Sequence, residues 1–133
     1  METTPDKAAR LFGEGCNCAQ SVLAVFSGSC GLDEATALRL AGGLGAGFRC
    51  GEICGAASGA ALVLGLRYGA ATPADQAAKA KSGEKTAAFM AAFKNSHGGL
   101  ACRDLLRASG RKICSSLIRG AVELLEQPLF NGE

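Results

Sequence analysis

The sequence predicts an all-α protein, a compact single-domain bundle of about five to seven helices over residues 1–133. Apolar residues recur at helical spacing in several segments, and no stretch shows the strict alternation of a half-buried strand. The chain is 48% hydrophobic and 20% charged, and its 133 residues suffice for one domain with its own core. Alanine and glycine dominate, which indicates small core side chains and closely spaced backbones.

Three helices are predicted in the first third of the chain. Gly13 ends the first, and Asn17 is a favourable N-cap for the second. Asp33 opens the third, because an acidic side chain suits a helix N-terminus, and this helix gives way at Gly42. The three helices cover residues 6–12, 18–26 and 33–41.

Four more helices are predicted after a glycine-rich loop that runs to Gly51. Gly69 ends the fourth helix, Pro73 opens the fifth, and the segment "NSHGG" stops it. The sixth starts at Cys102, and Pro128 stops the seventh. The four helices cover residues 52–68, 73–95, 102–107 and 113–127.

Charge and hydropathy argue against several classes of function. The net charge is only +2, and no aromatic residues interleave with the C-terminal basic ones, so nucleic-acid binding is not expected. The loop "AGGLGAGFRCGE" lacks the lysine–threonine end of a P-loop and follows no strand; we expect a flexible connector, not a nucleotide site. The longest charge-free apolar run, 53–66, is shorter than the roughly 20 residues of a membrane span. No signal peptide is evident, so we expect a soluble, cytoplasmic protein without membrane insertion.

Glycines recur every fourth residue around the start of the fourth helix, at Gly51, Gly55 and Gly59. On a helix they form a smooth stripe that another backbone can approach closely. The stripe indicates either close helix packing alone, or a helix end set against a compact cofactor or another cysteine-bearing helix. Together with the apolar helix faces, it also predicts self-association as a homodimer.

Seven cysteines are the most unusual feature of the chain. Their odd number excludes complete pairing, and a reducing cytosol favours metal ligation or redox chemistry over structural disulfides. No C-x-x-C or ferredoxin spacing is present. Four of the cysteines lie within the first turn of predicted helices, whose free N–H groups favour a thiolate. These four lie in "NCAQSV", "ICGAASG", "ACRDLL" and "KICSSLI".

Four other residues near these cysteines have an alternative, structural interpretation. His97, the single histidine, is a candidate ligand or proton shuttle, but its place at a helix C-terminus predicts an imidazolium that complements the helix dipole. Glu52 is a candidate for tuning a thiolate or an ordinary first-turn charge. Arg49 and Arg103 adjoin cysteines and either lower thiol pKa values or are merely solvated.

The cysteine-bearing segments resemble the C_GCAxxG_C_C family of putative redox-active proteins. The resemblance covers about residues 15–126 and implies a small helical protein encoded near transporters or oxidoreductases. A related domain occurs in split-Soret cytochromes, and an iron–sulfur cluster or other prosthetic group is suspected in the family. The resemblance also implies that the chain works with a redox partner or with an oxidoreductase or transporter system. The resemblance rests on "GCNCAQSV" around Cys18, "GEICGAASGAALVLGLRYG" around Cys54, "CRDLL" at Cys102 and "CSSLIRGAVELL" at Cys114.

The cysteine pattern and the resemblance leave three alternative functions. The resemblance specifies neither a reaction nor a catalytic residue. The first is a redox protein that binds an iron–sulfur cluster or another metal, with zinc as the alternative, through the four family cysteines. The second is a metal-free thiol–disulfide protein, and the third is a non-enzymatic bundle with packed cysteines or a structural zinc. Three alternatives stay open for Cys50, which are an extra ligand, a mobile resolving thiol or no role at all. The predicted ligands are Cys18, Cys54, Cys102 and Cys114.

Overall fold

The computed structural model describes residues 1–132 and confirms the all-α fold. Within that range there are eight α-helices, one more than the upper end of the predicted number, and no strand. The additional helix begins at Pro128, which was predicted only to stop its predecessor; proline fits the first turn of a new helix. The helices are α1 (Thr4–Gly13), α2 (Cys18–Ser27), α3 (Glu34–Leu40), α4 (Gly55–Tyr68), α5 (Gln76–His97), α6 (Cys102–Leu106), α7 (Cys114–Glu126) and α8 (Pro128–Asn131).

Side-chain caps define several helix starts. The Asn17 side chain accepts a hydrogen bond from the Gln20 N–H, and the Gln20 side chain accepts one from the Asn17 N–H, each at 2.8 Å. This reciprocal pair confirms Asn17 as the N-cap of α2. At α5 the prediction was wrong: Asp75 caps the helix through the Ala78 N–H, so Pro73 lies in the preceding turn.

The start of α4 also differs from the prediction. The helix begins at Gly55, with Cys54 as its N-cap, whereas residue 52 was the expected start. Ile53 instead forms an isolated antiparallel bridge with Ala101, which holds the backbone extended before the helix can begin. The segment before α4 is thereby tied to the segment before α6.

Glycines bring α2 and α4 into close contact. A Cβ atom on Gly59 would lie 2.8 Å from the carbonyl oxygen of Ala19, and one on Gly55 would lie 2.9 Å from the Cβ of Cys18. Both distances are shorter than van der Waals contact, so only glycine permits this approach. Close packing by Gly55 and Gly59 is confirmed, but Gly51 lies on the preceding turn, outside the helix.

The remaining core lies between α4, α5 and α7. Phe89 and Phe93 of α5 are fully buried, and the Phe89 ring meets that of Phe130 edge-on with centroids 5.4 Å apart. This ring contact packs α8 against α5. Across residues 1–132, no helix combines the length and apolarity needed to cross a membrane.

Candidate functional site

Two short backbone hydrogen bonds flank the Ile53–Ala101 bridge and position two cysteines. The Cys54 N–H donates to the Leu100 carbonyl at 2.7 Å, and the Cys102 N–H donates to the Glu52 carbonyl at 2.6 Å. The starts of α4 and α6 are therefore held side by side, although these cysteines are 48 positions apart in the chain.

The four family cysteines all occupy helix starts, as predicted. Cys54 is the N-cap of α4, and the other three are the first residues of α2, α6 and α7. The charges of the other three act on the Cys18 thiol, those of Cys102 and Cys114 act on Cys54, and that of Cys114 acts on Cys102, so all four lie within electrostatic reach of one another. Cys18, Cys54 and Cys114 are buried, whereas Cys102 is half-buried.

The pKa values of the Cys18, Cys54 and Cys102 thiols are raised, contrary to the expectation that helix starts would favour the thiolate. Burial is the main cause at Cys18, and the charges of Cys114 and Cys54 add to it. At Cys54, burial raises the pKa to about 11, although the backbone N–H groups of Ala56 and Ala57 act to lower it. Desolvation and mutual repulsion outweigh the helix dipole here.

Cys102 has a neighbouring cation that the sequence did not indicate. Burial and then the Cys114 charge raise the pKa of the Cys102 thiol, while Arg111 acts to lower it. Arg111 lies on the 3₁₀ turn Gly110–Ile113 before α7, nine residues along the chain, and no spacing pattern connects it with Cys102. Only the fold reveals this neighbour.

The adjacent arginine proposed from the sequence has a different partner. Arg103 forms an ion pair with Glu52 at 3.1 Å, and both side chains are more than half exposed. The cation that acts to lower the pKa of the Cys102 thiol is Arg111. Glu52, the candidate for tuning a thiolate, is likewise engaged in that surface ion pair.

The glycine-rich loop before α4, which we expected to be a flexible connector, contains a compact left-handed turn that packs on Cys102. Three non-glycine residues have positive φ angles: Ala46 at 53°, Phe48 at 61° and Arg49 at 62°. Between them lies Gly47, where a Cβ atom would be 2.8 Å from the Cβ of Cys102. Glycine at this position therefore allows the turn to lie directly against the half-buried cysteine.

The other three cysteines are outside the four-cysteine group in the family pattern. Cys50 is exposed, and its thiol donates to the Gly47 carbonyl at 3.4 Å. Cys16 and Cys30 are half-buried. All seven cysteines are free thiols in the structure.

His97 does not have the environment predicted for a helix-capping cation. Its Nε2 atom is buried and, among the described residues, has no hydrogen-bond partner. A Cβ atom on Gly120 would lie 2.6 Å from it, and the Phe93 ring packs beside the imidazole. Burial lowers the pKa of His97, so the neutral imidazole is favoured, which corrects the imidazolium prediction.

The four-cysteine group is not a ready-made metal site. Within residues 1–132, no group of three or more His, Cys, Asp or Glu side chains is placed so that it could hold a metal ion as it stands. The four thiols would have to draw closer together around an ion.

The fold and the site define a class: a small helical protein in which cysteines from four helix starts converge. The model of the family described as "Putative redox-active protein (C_GCAxxG_C_C)" matches residues 16–128. The chain belongs to this family, as its cysteine-bearing segments predicted. Searches of curated proteins and of solved structures found no match.

Proposed function

We propose that the chain is a cytoplasmic redox protein that binds an iron–sulfur cluster or another thiophilic metal. The supporting observation is the convergence of four thiols from distant parts of the chain, at a place where burial and neighbouring charges raise the pKa values of Cys18, Cys54 and Cys102. A cation at their centre would offset both effects. The ligands would be Cys18, Cys54, Cys102 and Cys114.

The donor set fits such a group chemically. Four thiolates suit an iron–sulfur cluster or a tetrahedral zinc ion, and a bound cluster would supply one-electron redox chemistry. The surrounding chain would exclude water through the buried helix starts, and the N–H groups of Ala56 and Ala57 would favour the Cys54 thiolate. Because their raised pKa values keep the Cys18, Cys54 and Cys102 thiols protonated at neutral pH, binding should release protons to the buffer.

Anaerobic purification followed by metal and acid-labile sulfide analysis tests this proposal. We expect stoichiometric iron and sulfide, which Cys54→Ser abolishes and the matched control Cys50→Ser largely retains. Zinc without sulfide would instead favour a structural metal. Equal losses in both variants would make Cys50 a ligand as well, and an undiminished metal content in Cys54→Ser would refute the proposed site.

A metal-free thiol–disulfide function is the second candidate. After burial, Cys114 is the strongest influence on the Cys18 thiol, which makes these two the favoured pair. Their oxidation would form one S–S bond, while two electrons and two protons reduce an external disulfide to two thiols. Oxidised glutathione, followed by alkylation and peptide mass spectrometry, should then give a Cys18–Cys114 cross-link in metal-free protein. Either function would require a redox partner, which we expect within an oxidoreductase or transporter system.

A further inference from the structure

Positive charge is concentrated on one surface, formed by residues 47–53 and 101–113, which we call the Cys102 surface. It carries five of the chain's 14 Lys and Arg residues and two of its 12 Asp and Glu residues, a net charge of +3. The rest of the chain carries nine and ten, a net charge of −1. The whole positive excess of the protein therefore lies on this surface.

Both carboxylates of the Cys102 surface are already engaged. Glu52 pairs with Arg103 at 3.1 Å, and Asp104 pairs with Arg107 at 2.9 Å. The three remaining cations have no ion pair with any residue from 1 to 132 and are exposed. These three are Arg49, Arg111 and Lys112.

Cys102 lies between the two segments that carry these cations. Gly47, at the start of the left-handed turn with Arg49, packs on the Cys102 Cβ, and the Arg111 charge reaches its thiol from the other segment. The other three family cysteines are at most 8% exposed. Of the four cysteines, Cys102 is therefore the most accessible to an outside molecule.

An exposed aromatic ring completes this surface. Phe48 is 47% exposed, and both Phe48 and Arg49 have a left-handed backbone conformation, which non-glycine residues rarely adopt. Aromatic residues and arginine are the types enriched in protein–protein interfaces. A single aromatic ring offers no series of platforms for stacked bases, which favours a protein partner over a nucleic acid.

We infer that the Cys102 surface docks an acidic redox protein, which exchanges electrons with the four-cysteine group through Cys102. Charge complementarity would steer the partner and orient its redox centre, and Phe48 would supply the apolar contact. The role of the docking rests on the proposed redox function. The docking itself depends only on Phe48 and the exposed cations.

Amide chemical-shift mapping of the ¹⁵N-labelled full chain, with an acidic ferredoxin as the probe, tests the docking. We expect shifts confined to residues 47–53 and 101–113, and affinity that falls at least fivefold between 50 and 300 mM salt. The double variant Arg49→Glu with Arg111→Glu should lose affinity at least tenfold. The matched control, Lys79→Glu with Lys94→Glu on exposed positions of α5, should stay within twofold of the parent.

Several outcomes would overturn the inference. These are shifts scattered over other faces, equal binding of a basic cytochrome c, or no difference between the two double variants. Tighter binding of a single-stranded oligonucleotide to the same residues would assign the surface to nucleic acid instead. Repeating the titration with folded Cys54→Ser protein separates the two proposals, because docking should persist there even when metal binding is lost.

Discussion

At the scale of single residues, Cys54 shows that a helix start does not by itself activate a thiol. It is the N-cap of α4, and nearby N–H groups favour its thiolate. Its 3% exposure and the charges of Cys102 and Cys114 act in the opposite direction and prevail, with a pKa of about 11. Such a thiol is a poor free nucleophile and a better ligand for a cation that offsets this cost.

His97 predicts a pH dependence of stability. Burial lowers its pKa below the ordinary 6.5, so the unfolded chain binds a proton more readily than the folded one. The stabilising contribution is therefore complete above pH 6.5 and is lost as pH falls below it. Urea unfolding from pH 7.5 to 5.5 should show a smaller decline in the free energy of unfolding for His97→Gln than for the parent. Parallel curves for the two proteins would contradict this assignment.

At the scale of elements, the contact between α2 and α4 depends on glycines that carry no chemistry. Gly55 and Gly59 let the two backbones approach, which places Cys18 beside the start of α4. The position of Cys18 relative to α4 therefore depends on glycine at these two positions.

Gly59→Ala tests this contact. The new Cβ would lie 2.8 Å from the Ala19 carbonyl oxygen, a backbone atom that cannot turn away, so we expect a loss of about 1–3 kcal/mol in the free energy of unfolding. The control is Gly65→Ala on the same helix, where nothing lies within 4 Å. It should gain about 0.5–1 kcal/mol, because alanine favours helix. Chemical denaturation measures both, and a similar effect of the two substitutions would rule out the proposed packing constraint.

At the scale of the whole molecule, the four proposed ligands lie at the starts of four helices between Cys18 and Cys114. A bound metal would link these helices, so metal binding should stabilise the entire bundle. Metal at 100 times its dissociation constant would add about 2.7 kcal/mol to the free energy of unfolding. Differential scanning calorimetry should therefore show a higher Tm with metal and a lower one after chelation. Cys54→Ser should show no metal-dependent change, whereas Cys50→Ser should respond like the parent.

Self-association remains a prediction about the whole molecule. The part of the glycine stripe on α4 is packed against α2 within one chain, so a homodimer would need another surface. Exposed Leu40, Leu66 and Leu129 offer apolar contacts. Light scattering at micromolar concentration should give about twice the chain mass of 13.4 kDa, and a mass near that of one chain would exclude the dimer.

The all-α class, most helices, the Asn17 cap and the positions of the four cysteines at helix starts followed from the sequence alone. Local patterns carry this information, because helix periodicity and capping depend on residues within a few positions of one another. The family was recognisable for the same reason, since its longest motif is continuous around Cys54.

Only the tertiary structure decided how those cysteines behave. The late start of α4 depends on pairing between Ile53 and Ala101, and the cation beside Cys102 is Arg111, not the adjacent Arg103. The raised pKa values and the neutral His97 follow from burial, which depends on how distant segments pack. Desolvation and charge repulsion act through space, and so local sequence predicted where the thiols begin helices but not the chemistry that their convergence imposes.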